Sequence, residues 1–357
     1  MTGIIISNSI KKRVKQFFQV VLIITFMLLS LKYSKECYNG VIKGLGFCTS
    51  VLIPSLFIFM IIATYISNGF VCRILSKALG YPIQKLIQVD KTCCTSLILA
   101  AIGGYPVGAK SVISEYKSGH INKEQAKKLA LIAFSSGPGF VVNYVGNALL
   151  HSKKASYILL ASQIISYLIT AIIVGHMIKS DDTHADTKPN TQKTTMVEAV
   201  SSACQSMIDM CAMVITFSAL ISVLEKVFSK HQIITDILTS VLEITYALSK
   251  LCGKYPLYII SFLISFGGIC VHFQVFSILK DIDINKKLFF LLRIIQGIIA
   301  SCSTYILLIL FPISENVFSS THDTLPDLSS SIWGSLALIL TAVCFISSLN
   351  KTEYKRR

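Results

Sequence analysis

Residues 155–178 read ASYILLASQIISYLITAIIVGHMI, an unbroken run without Asp, Glu, Lys or Arg. A helix needs about 20 consecutive apolar residues to cross the hydrocarbon core of a bilayer, so this run predicts a transmembrane helix. Ten further apolar segments of similar length lie at 14–31, 46–67, 69–89, 93–114, 127–150, 200–224, 233–251, 256–280, 287–311 and 331–349. The sequence therefore predicts an all-α, polytopic integral membrane protein with about ten transmembrane helices.

The composition excludes the other common classes of protein. Of 357 residues, 33 are Lys or Arg and 18 are Asp or Glu, which makes 14% of the chain charged. A soluble domain carries about 25% charged residues, and this chain has too few to cover a soluble surface. The hydrophobic fraction of 53% and the mean hydropathy of +0.66 also exclude disordered, collagen-like and disulfide-scaffold proteins.

The net charge of +15 comes from short basic clusters beside apolar runs, such as Lys11-Lys12-Arg13. Such clusters orient membrane helices and attract anionic lipids, so anionic membrane lipids are expected partners and nucleic acid is not. The eleven Cys form no Cys-x-x-Cys pair, and the seven His show no ligand spacing. No metal and no cofactor are therefore expected.

The charges also predict the topology. Both Lys/Arg-rich termini are expected in the cytoplasm, and the loop 312–330, which has no Lys or Arg, is expected outside. Two cytoplasmic ends require an even number of crossings, so at least one of the eleven segments lies flat or re-enters. The best candidates are 69–89 and 233–251, the least purely apolar segments.

The chain divides at one polar linker. The expected units are an N-terminal helix (1–36), a first repeat (40–178), the linker (179–196), a second repeat (197–350) and a basic tail (351–357). The repeat rests on few identities: a shift of 164 residues carries Leu99, Gly103, Gly104 and Val107 onto Leu263, Gly267, Gly268 and Val271. Internal repeats with breaks at corresponding places are typical of transporters, whose substrate sites lie at the breaks.

Three places interrupt helical geometry inside apolar runs: 103–110 (GGYPVGAK), 135–140 (SSGPGF) and Gly267–Gly268. Backbone groups freed at membrane depth must be buried in protein or line a wet cavity. Amides of a helix that restarts beyond such a break form a positive end suited to an anion. Each break has a plainer interpretation as a packed kink. The expected substrate-binding residues are Gly103, Gly104, Tyr105, Pro106, Gly108, Lys110, Ser136, Gly137, Pro138, Asn143, Gly267, Gly268, Gln274 and Arg293.

Charged residues inside apolar segments are the other candidates. Arg293 either reaches the interface with its long side chain or faces a cavity, where it binds an acidic group or an anionic substrate. Asp209 and Glu243 are costly at membrane depth unless they are paired or hydrated, so they are candidates for ion or proton coupling. Glu115 and Lys117 are expected at a solvated loop end.

Several motifs together resemble a known family. Pro54-Ser55-Leu56-Phe57, Gly104-Tyr105-Pro106-Val107-Gly108-Ala109-Lys110, Ser136-Gly137-Pro138-Gly139-Phe140 and Glu243-Ile244-Thr245 resemble the YlbJ/SpoVV-type sporulation integral membrane proteins, of the nucleoside-recognition or "gate" group. The resemblance covers roughly residues 40–350. The sequence departs from the family pattern after Thr245, where a glycine is expected and this chain has Tyr246-Ala247. It implies that dipicolinic acid moves from the mother cell across the outer forespore membrane.

The leading hypothesis is a carrier or facilitated channel for a small anionic solute. The chain has no P-loop, so ATP hydrolysis is not expected. The alternatives are a transporter of a nucleoside-like or other small solute, and a sporulation membrane scaffold without transport. An enzyme is not expected, because no nucleophile and base residues cluster in the sequence. The sequence leaves open whether the chain forms a homo-oligomer.

Overall fold

The computed structural model describes residues 16–17, 20–21, 23–67, 70–89, 91–178 and 195–313, in which all regular secondary structure is helical. An apolar helix, Ile23–Lys32, comes first. From Ser34 onward the main helices are α1 (Ser34–Phe47), α2 (Ile53–Ser67), α3 (Phe70–Ile87), α4 (Cys94–Gly103), α5 (Tyr105–Lys117), α6 (Lys123–Ile132), the π-helical α7 (Gly139–Leu149), α8 (Lys153–Met177), α9 (Met196–Val227), α10 (Gln232–Leu242), α11 (Ile244–Leu251), α12 (Leu257–Phe266), α13 (Gly268–Ile278) and α14 (Lys286–Leu310). A π-helical turn, Cys48–Leu52, joins α1 to α2.

Some predictions concern residues outside the described part. These are the cytoplasmic location of both termini, the external location of loop 312–330, the segment 331–349, the tail 351–357 and most of the linker 179–196.

Five helical spans in the described residues are long and apolar enough to cross a membrane. They are Ser34–Ile66, Lys153–Met177, Met196–Val227, Leu257–Ile278 and Lys286–Leu310. The broken pair α6–α7 adds a further passage, from Lys123 to Leu149. The expected count of about ten crossing helices is not reached in this part of the chain.

The segment 93–114, expected to cross, instead folds back on itself. The Ser96 and Ser111 hydroxyls lie 2.9 Å apart, whereas 15 residues of continuous helix would separate them by about 22 Å. Helices α4 and α5 therefore form a re-entrant hairpin, here called hairpin 1, with its tip at Gly104. Gly108 allows the two arms to approach, because a Cβ there would lie 2.6 Å from the Cβ of Ala100.

The segment 233–251, a candidate for a segment that does not cross, also re-enters. Asp236, near the start of α10, accepts hydrogen bonds from Lys254 and, at 2.9 Å, from the Tyr255 hydroxyl. Both partners follow α11, so α10 and α11 run antiparallel as hairpin 2, with its tip at Glu243. Lys250 of α11 also pairs with Asp236 across the base of the hairpin and with Glu225 of α9.

The two hairpins enter from opposite sides. Lys117, at the base of hairpin 1, forms an ion pair of 2.9 Å with Asp281, in the loop between α13 and α14. Lys254, at the base of hairpin 2, precedes α12. The passage Leu257–Ile278 separates these two loops, and 22 helical residues span about 33 Å.

Helix α3 has both ends on the side of hairpin 1. The chain enters α1 on the other side, where Glu36 pairs with Lys226 at the end of α9, and α2 therefore ends on the hairpin 1 side. Just beyond α3, the Gln88 carbonyl accepts a hydrogen bond of 2.7 Å from Lys128 of α6, and hairpin 1 begins six residues later at Cys94. This geometry agrees with the interpretation of 69–89 as a segment that lies flat.

The described elements follow the order long helix, re-entrant hairpin, broken passage, long helix in each half. In this order hairpin 1 (94–117) corresponds to hairpin 2 (232–251), and the α6–α7 passage corresponds to α12–α13. The predicted shift of 164 pairs 94–117 with 257–278, a hairpin with a crossing segment. That register is wrong.

Local sequence fixes where the long helices begin and how closely they pack. Thr195 and Glu198 form a capping box at the start of α9, and Ser152 caps α8. Gly40 and Gly44 of α1 lie against α9, where added Cβ atoms would be 2.6 Å from the Ser218 carbonyl oxygen and 2.7 Å from the Ile215 Cα. Small residues four apart allow membrane helices this close approach.

Candidate functional site

Four helix breaks meet in the middle of the molecule. A Cβ on Gly104, the tip of hairpin 1, would lie 3.0 Å from the Gly137 amide nitrogen in the extended stretch between α6 and α7. A Cβ on Gly268 would lie 3.4 Å from the Cα of Glu243, the tip of hairpin 2. Tyr105 joins the two halves, because its hydroxyl donates to the Ile264 carbonyl near the end of α12.

These breaks enclose a cavity of about 30 Å³. Every break contributes residues, and the π-helical turn, α2 and α9 complete the wall. The lining residues are Leu52, Leu56, Gly104, Tyr105, Pro106, Gly137, Phe140, Met210, Val214, Glu243, Ile244, Thr245, Val271 and Gln274. A few polar groups in an apolar wall are typical of small-molecule sites.

Three helices that restart at the cavity have N-terminal amides without a side-chain cap. Their N-cap residues are Gly104 for α5, Pro138 for α7 and Gly267 for α13, none of which carries a side-chain oxygen. Gly104 (φ +87°) and Gly267 (φ +79°) adopt backbone conformations that favour glycine. The sequence therefore turns the chain sharply at these points and leaves partial positive charge at the helix ends.

The fourth restart, α11, is capped by a carboxylate. Glu243 is 1% exposed, and its side chain accepts hydrogen bonds from the amides of Thr245 (3.0 Å) and Tyr246 (2.6 Å). An acidic group at a helix N-terminus is a favourable arrangement, which offsets part of the cost of its burial. One of the four positive ends thus already holds an anion of the protein itself.

Side-chain donors occupy carbonyls at two of the four breaks, at the end of α12, where the Tyr105 hydroxyl donates to Ile264, and at the end of α6. Arg293 and Gln296 of α14 donate to the Phe134 carbonyl at the end of α6, at 3.1 and 3.3 Å. Gln163 of α8 donates to the carbonyl of Ser261 in α12 at 3.1 Å and accepts from Ser136 and Ser265. The negative ends of α6 and α12 are therefore compensated inside the protein, whereas the first residues of α5 and α11, and Phe140 near the start of α7, line the cavity.

The structure brings some of the predicted site residues to the cavity and places others behind it. Six of them line it: Gly104, Tyr105, Pro106, Gly137, Gln274 and Glu243. Gly103, Gly108, Ser136, Pro138, Gly267 and Gly268 build the breaks without lining the cavity. The Lys110 ammonium donates to the Ser202 carbonyl and, at 2.6 Å, to the Ser206 hydroxyl of α9.

The remaining candidates lie elsewhere. Asn143 is exposed, and so is Asp209, which accepts a hydrogen bond of 3.1 Å from Gln205 on the same helix. Arg293 is fully buried, so the alternative that it reaches the interface is wrong, but its guanidinium binds backbone carbonyls and does not line the cavity. Glu115 is 1% exposed, so its expected place at a solvated loop end is also wrong.

Sequence reasoning missed the fourth break and the donors that cover the carbonyl ends. The tip of hairpin 2 contains no Gly or Pro, and Glu243 alone marked it, as a charge in an apolar run. Gln163 and Gln296 were visible as polar residues inside apolar helices, the pattern that interhelical hydrogen bonding requires. The described residues contain no group of three or more His, Cys, Asp or Glu that could hold a metal ion.

Comparison with known proteins gives one informative match. No protein-family model matches the chain, and no solved structure does. The chain is 22% identical over 338 residues to the sporulation integral membrane protein YlbJ of Bacillus subtilis (strain 168), covering 82% of this chain and 81% of that protein. The resemblance inferred from the Gly-Tyr-Pro and Ser-Gly-Pro motifs is thus confirmed, as a similarity that extends over most of both chains.

Proposed function

We propose that the chain moves a small organic anion across a membrane, as a carrier or facilitated channel, and that this anion is dipicolinic acid during sporulation. The observation that carries the proposal is the polarity of the four breaks. The uncapped amide ends of α5 and α7 and the Glu243-capped end of α11 lie at a shared cavity, while side chains occupy the carbonyl ends of α6 and α12. Uncapped helix N-termini form a ready-made anion site.

The chemistry of dipicolinate fits this arrangement. It is a flat aromatic dianion at neutral pH, and its two carboxylates need amide or cationic donors on separate walls. The amide ends behind Gly104 and Pro138 supply donors from two elements, and Phe140 and Leu56 offer apolar surface to the ring. A pocket for a small molecule usually encloses about 300–1,000 Å³, so the cavity must open to admit this solute.

The hairpin tips are the elements whose movement opens the cavity in this proposal. Tyr105 and Pro106 belong to hairpin 1, and Ile244 and Thr245 to hairpin 2, which enters from the other side. The matching order of elements in the two halves, with hairpins of opposite entry, supports an inverted internal repeat. Such repeats place substrate sites at discontinuous helices near the bilayer midplane.

Glu243 supplies the coupling in this proposal. An anion in the cavity approaches the Glu243 carboxylate, and like charges at short range in a poorly hydrated site repel strongly. Protonation of Glu243 removes that repulsion, so a proton is expected to accompany the anion. Asp209 is less suited to this role because it lies on an exposed face of α9.

The decisive experiment is uptake of labelled dipicolinate into proteoliposomes that contain the purified protein. Uptake above that of empty vesicles, competed by other aromatic dicarboxylates and not by nucleosides, supports the proposal. In cells, a deletion should leave dipicolinate in the mother cell and deplete it from spores, because the outer forespore membrane separates the two compartments. Loss of synthesis would instead indicate an enzyme, and early arrest of engulfment a scaffold.

A further inference from the structure

Arg293 is a fully buried charge whose partners are backbone carbonyls. Its Nη1 donates to the Phe134 carbonyl at 3.1 Å and to Gln296 Oε1 at 2.6 Å, and its Nη2 donates to the Leu131 carbonyl at 2.7 Å. Leu131 and Phe134 flank the end of α6, where the chain unwinds and leaves carbonyls without helical partners. The guanidinium therefore binds the negative end of a broken helix at membrane depth.

No acidic side chain neutralises this charge in the described residues. None of their ion pairs involves Arg293, and the guanidinium carbon instead lies 4.6 Å from the ring centroid of Phe134 and 5.1 Å from that of Phe289. Carbonyl dipoles and aromatic faces are the groups that solvate a bound cation. The groups around the Arg293 guanidinium are therefore of the kind that surround a bound cation.

We propose that Arg293 is a tethered cation that replaces a coupling sodium ion at the first broken passage. In transporters with discontinuous helices, unwound carbonyls and helix C-termini commonly coordinate Na⁺. Here the guanidinium occupies that position permanently and fixes the course of residues 131–137, which include the cavity-lining Gly137. Arg293 is thus a positioning residue, and the anion moves without sodium bound at this passage.

The corresponding passage in the second half shows why the charge is specific to α6. There only neutral groups donate: the Tyr105 hydroxyl to the Ile264 carbonyl near the end of α12, and the Gln163 amide to the Ser261 carbonyl inside that helix. Both passages have a side-chain donor from the long helix of the other half, but only the donors to α6 include a positive charge among the described residues. A neutral side chain is sufficient where the only role is to donate a hydrogen bond. The positive charge of Arg293 therefore serves a further role.

The first test separates charge from packing in the purified protein. Arg293→Lys keeps a cation with one centre of charge, and Arg293→Met keeps most of the volume without charge. The melting temperature should fall in the order wild type, Arg293→Lys, Arg293→Met, with the methionine variant lower than the wild type by about 5 °C or more. Millimolar methylguanidinium should raise the melting temperature of Arg293→Ala and leave the wild type unchanged.

The outcomes decide the assignment even where a variant folds poorly. Arg293→Lys accumulating in membranes when Arg293→Met does not supports a tethered cation. An Arg293→Lys protein no more stable than Arg293→Met refutes it, because the side chain would then act through shape alone. Failure of both variants to accumulate refutes it in the same way.

The inference that the anion moves without sodium rests on the proposed function and is tested by a separate measurement of uptake. Wild-type uptake of dipicolinate should agree within about twofold when choline replaces sodium, and a strict requirement for sodium contradicts this part of the proposal. Absence of any uptake would remove the proposed function. The melting-temperature series would still decide what Arg293 does.

Discussion

Replacing Gly104 by Ala tests whether the tip of hairpin 1 forms the site. Gly104 has φ +87° and ψ −171°, a region that residues other than glycine almost never occupy. A Cβ would also lie 3.0 Å from the Gly137 amide nitrogen and 3.4 Å from the Gly137 Cα. The substitution therefore strains the tip and pushes it away from the extended stretch on the opposite wall.

The backbone strain alone costs about 1–3 kcal/mol. A local penalty of 1–2 kcal/mol changes an equilibrium by roughly 5- to 30-fold. We expect Gly104→Ala to lower dipicolinate uptake by about tenfold at equal amounts of membrane protein. Gly46→Ala is the matched control, because a Cβ on Gly46 meets no atom within 4 Å and alanine favours a helix.

The assay is initial uptake in proteoliposomes, with the melting temperature of each variant measured in parallel. Gly46→Ala should match the wild type in both measurements. If Gly104→Ala transports as well as Gly46→Ala, the cavity between the breaks is not the path of the anion.

Three further variants test other parts of the structure. Glu243→Gln keeps an oxygen to cap α11 but removes the negative charge. Dipicolinate should therefore bind more tightly, and its uptake should no longer depend on pH. An unchanged pH profile of uptake would argue against proton coupling through Glu243. Gln163→Leu removes the acceptor of the buried Ser136 and Ser265 hydroxyls, at about 1–3 kcal/mol for a buried group left unpaired, so the melting temperature should fall by several degrees. Gln205→Leu on an exposed face should have little effect. Lys117 holds the pKa of Asp281 below its ordinary value, so the pair stabilises the fold at neutral pH, and this contribution is lost as the pH falls through the lowered pKa. The melting temperatures of Asp281→Asn and the wild type should therefore converge in acid. A difference that stays constant with pH would contradict this.

The sequence was sufficient to predict the helices and most of their breaks. Apolar runs such as 155–178 fix helix length through the thickness of the bilayer, independently of the rest of the chain. Gly104 and Gly267 were identifiable because glycine and proline in an apolar run interrupt helical geometry locally. These are short-range effects, and a linear reading of the chain can find them.

The direction of each segment could not be predicted in the same way. Residues 94–117 form a hairpin and residues 257–278 cross, although both have a glycine break near the middle. The difference depends on contacts between distant residues, such as the Ser96–Ser111 pair that closes hairpin 1. The break at Glu243 had no glycine or proline, and it follows from the carboxylate that caps α11.

Sequence and structure also differ on which groups make the site positive. Counting charges singled out Lys110 and Arg293 as partners for an anion, but both ammonium and guanidinium groups bind protein carbonyls away from the cavity. Each break produces a positive and a negative helix end, and the two would cancel if both faced the cavity. Arg293 and Tyr105 cover the negative ends of α6 and α12, whereas the N-cap residues Gly104, Pro138 and Gly267 have no side-chain oxygen with which to cover the positive ends. The cationic side chain thus favours an anion indirectly, by leaving the backbone amides as the uncompensated charge.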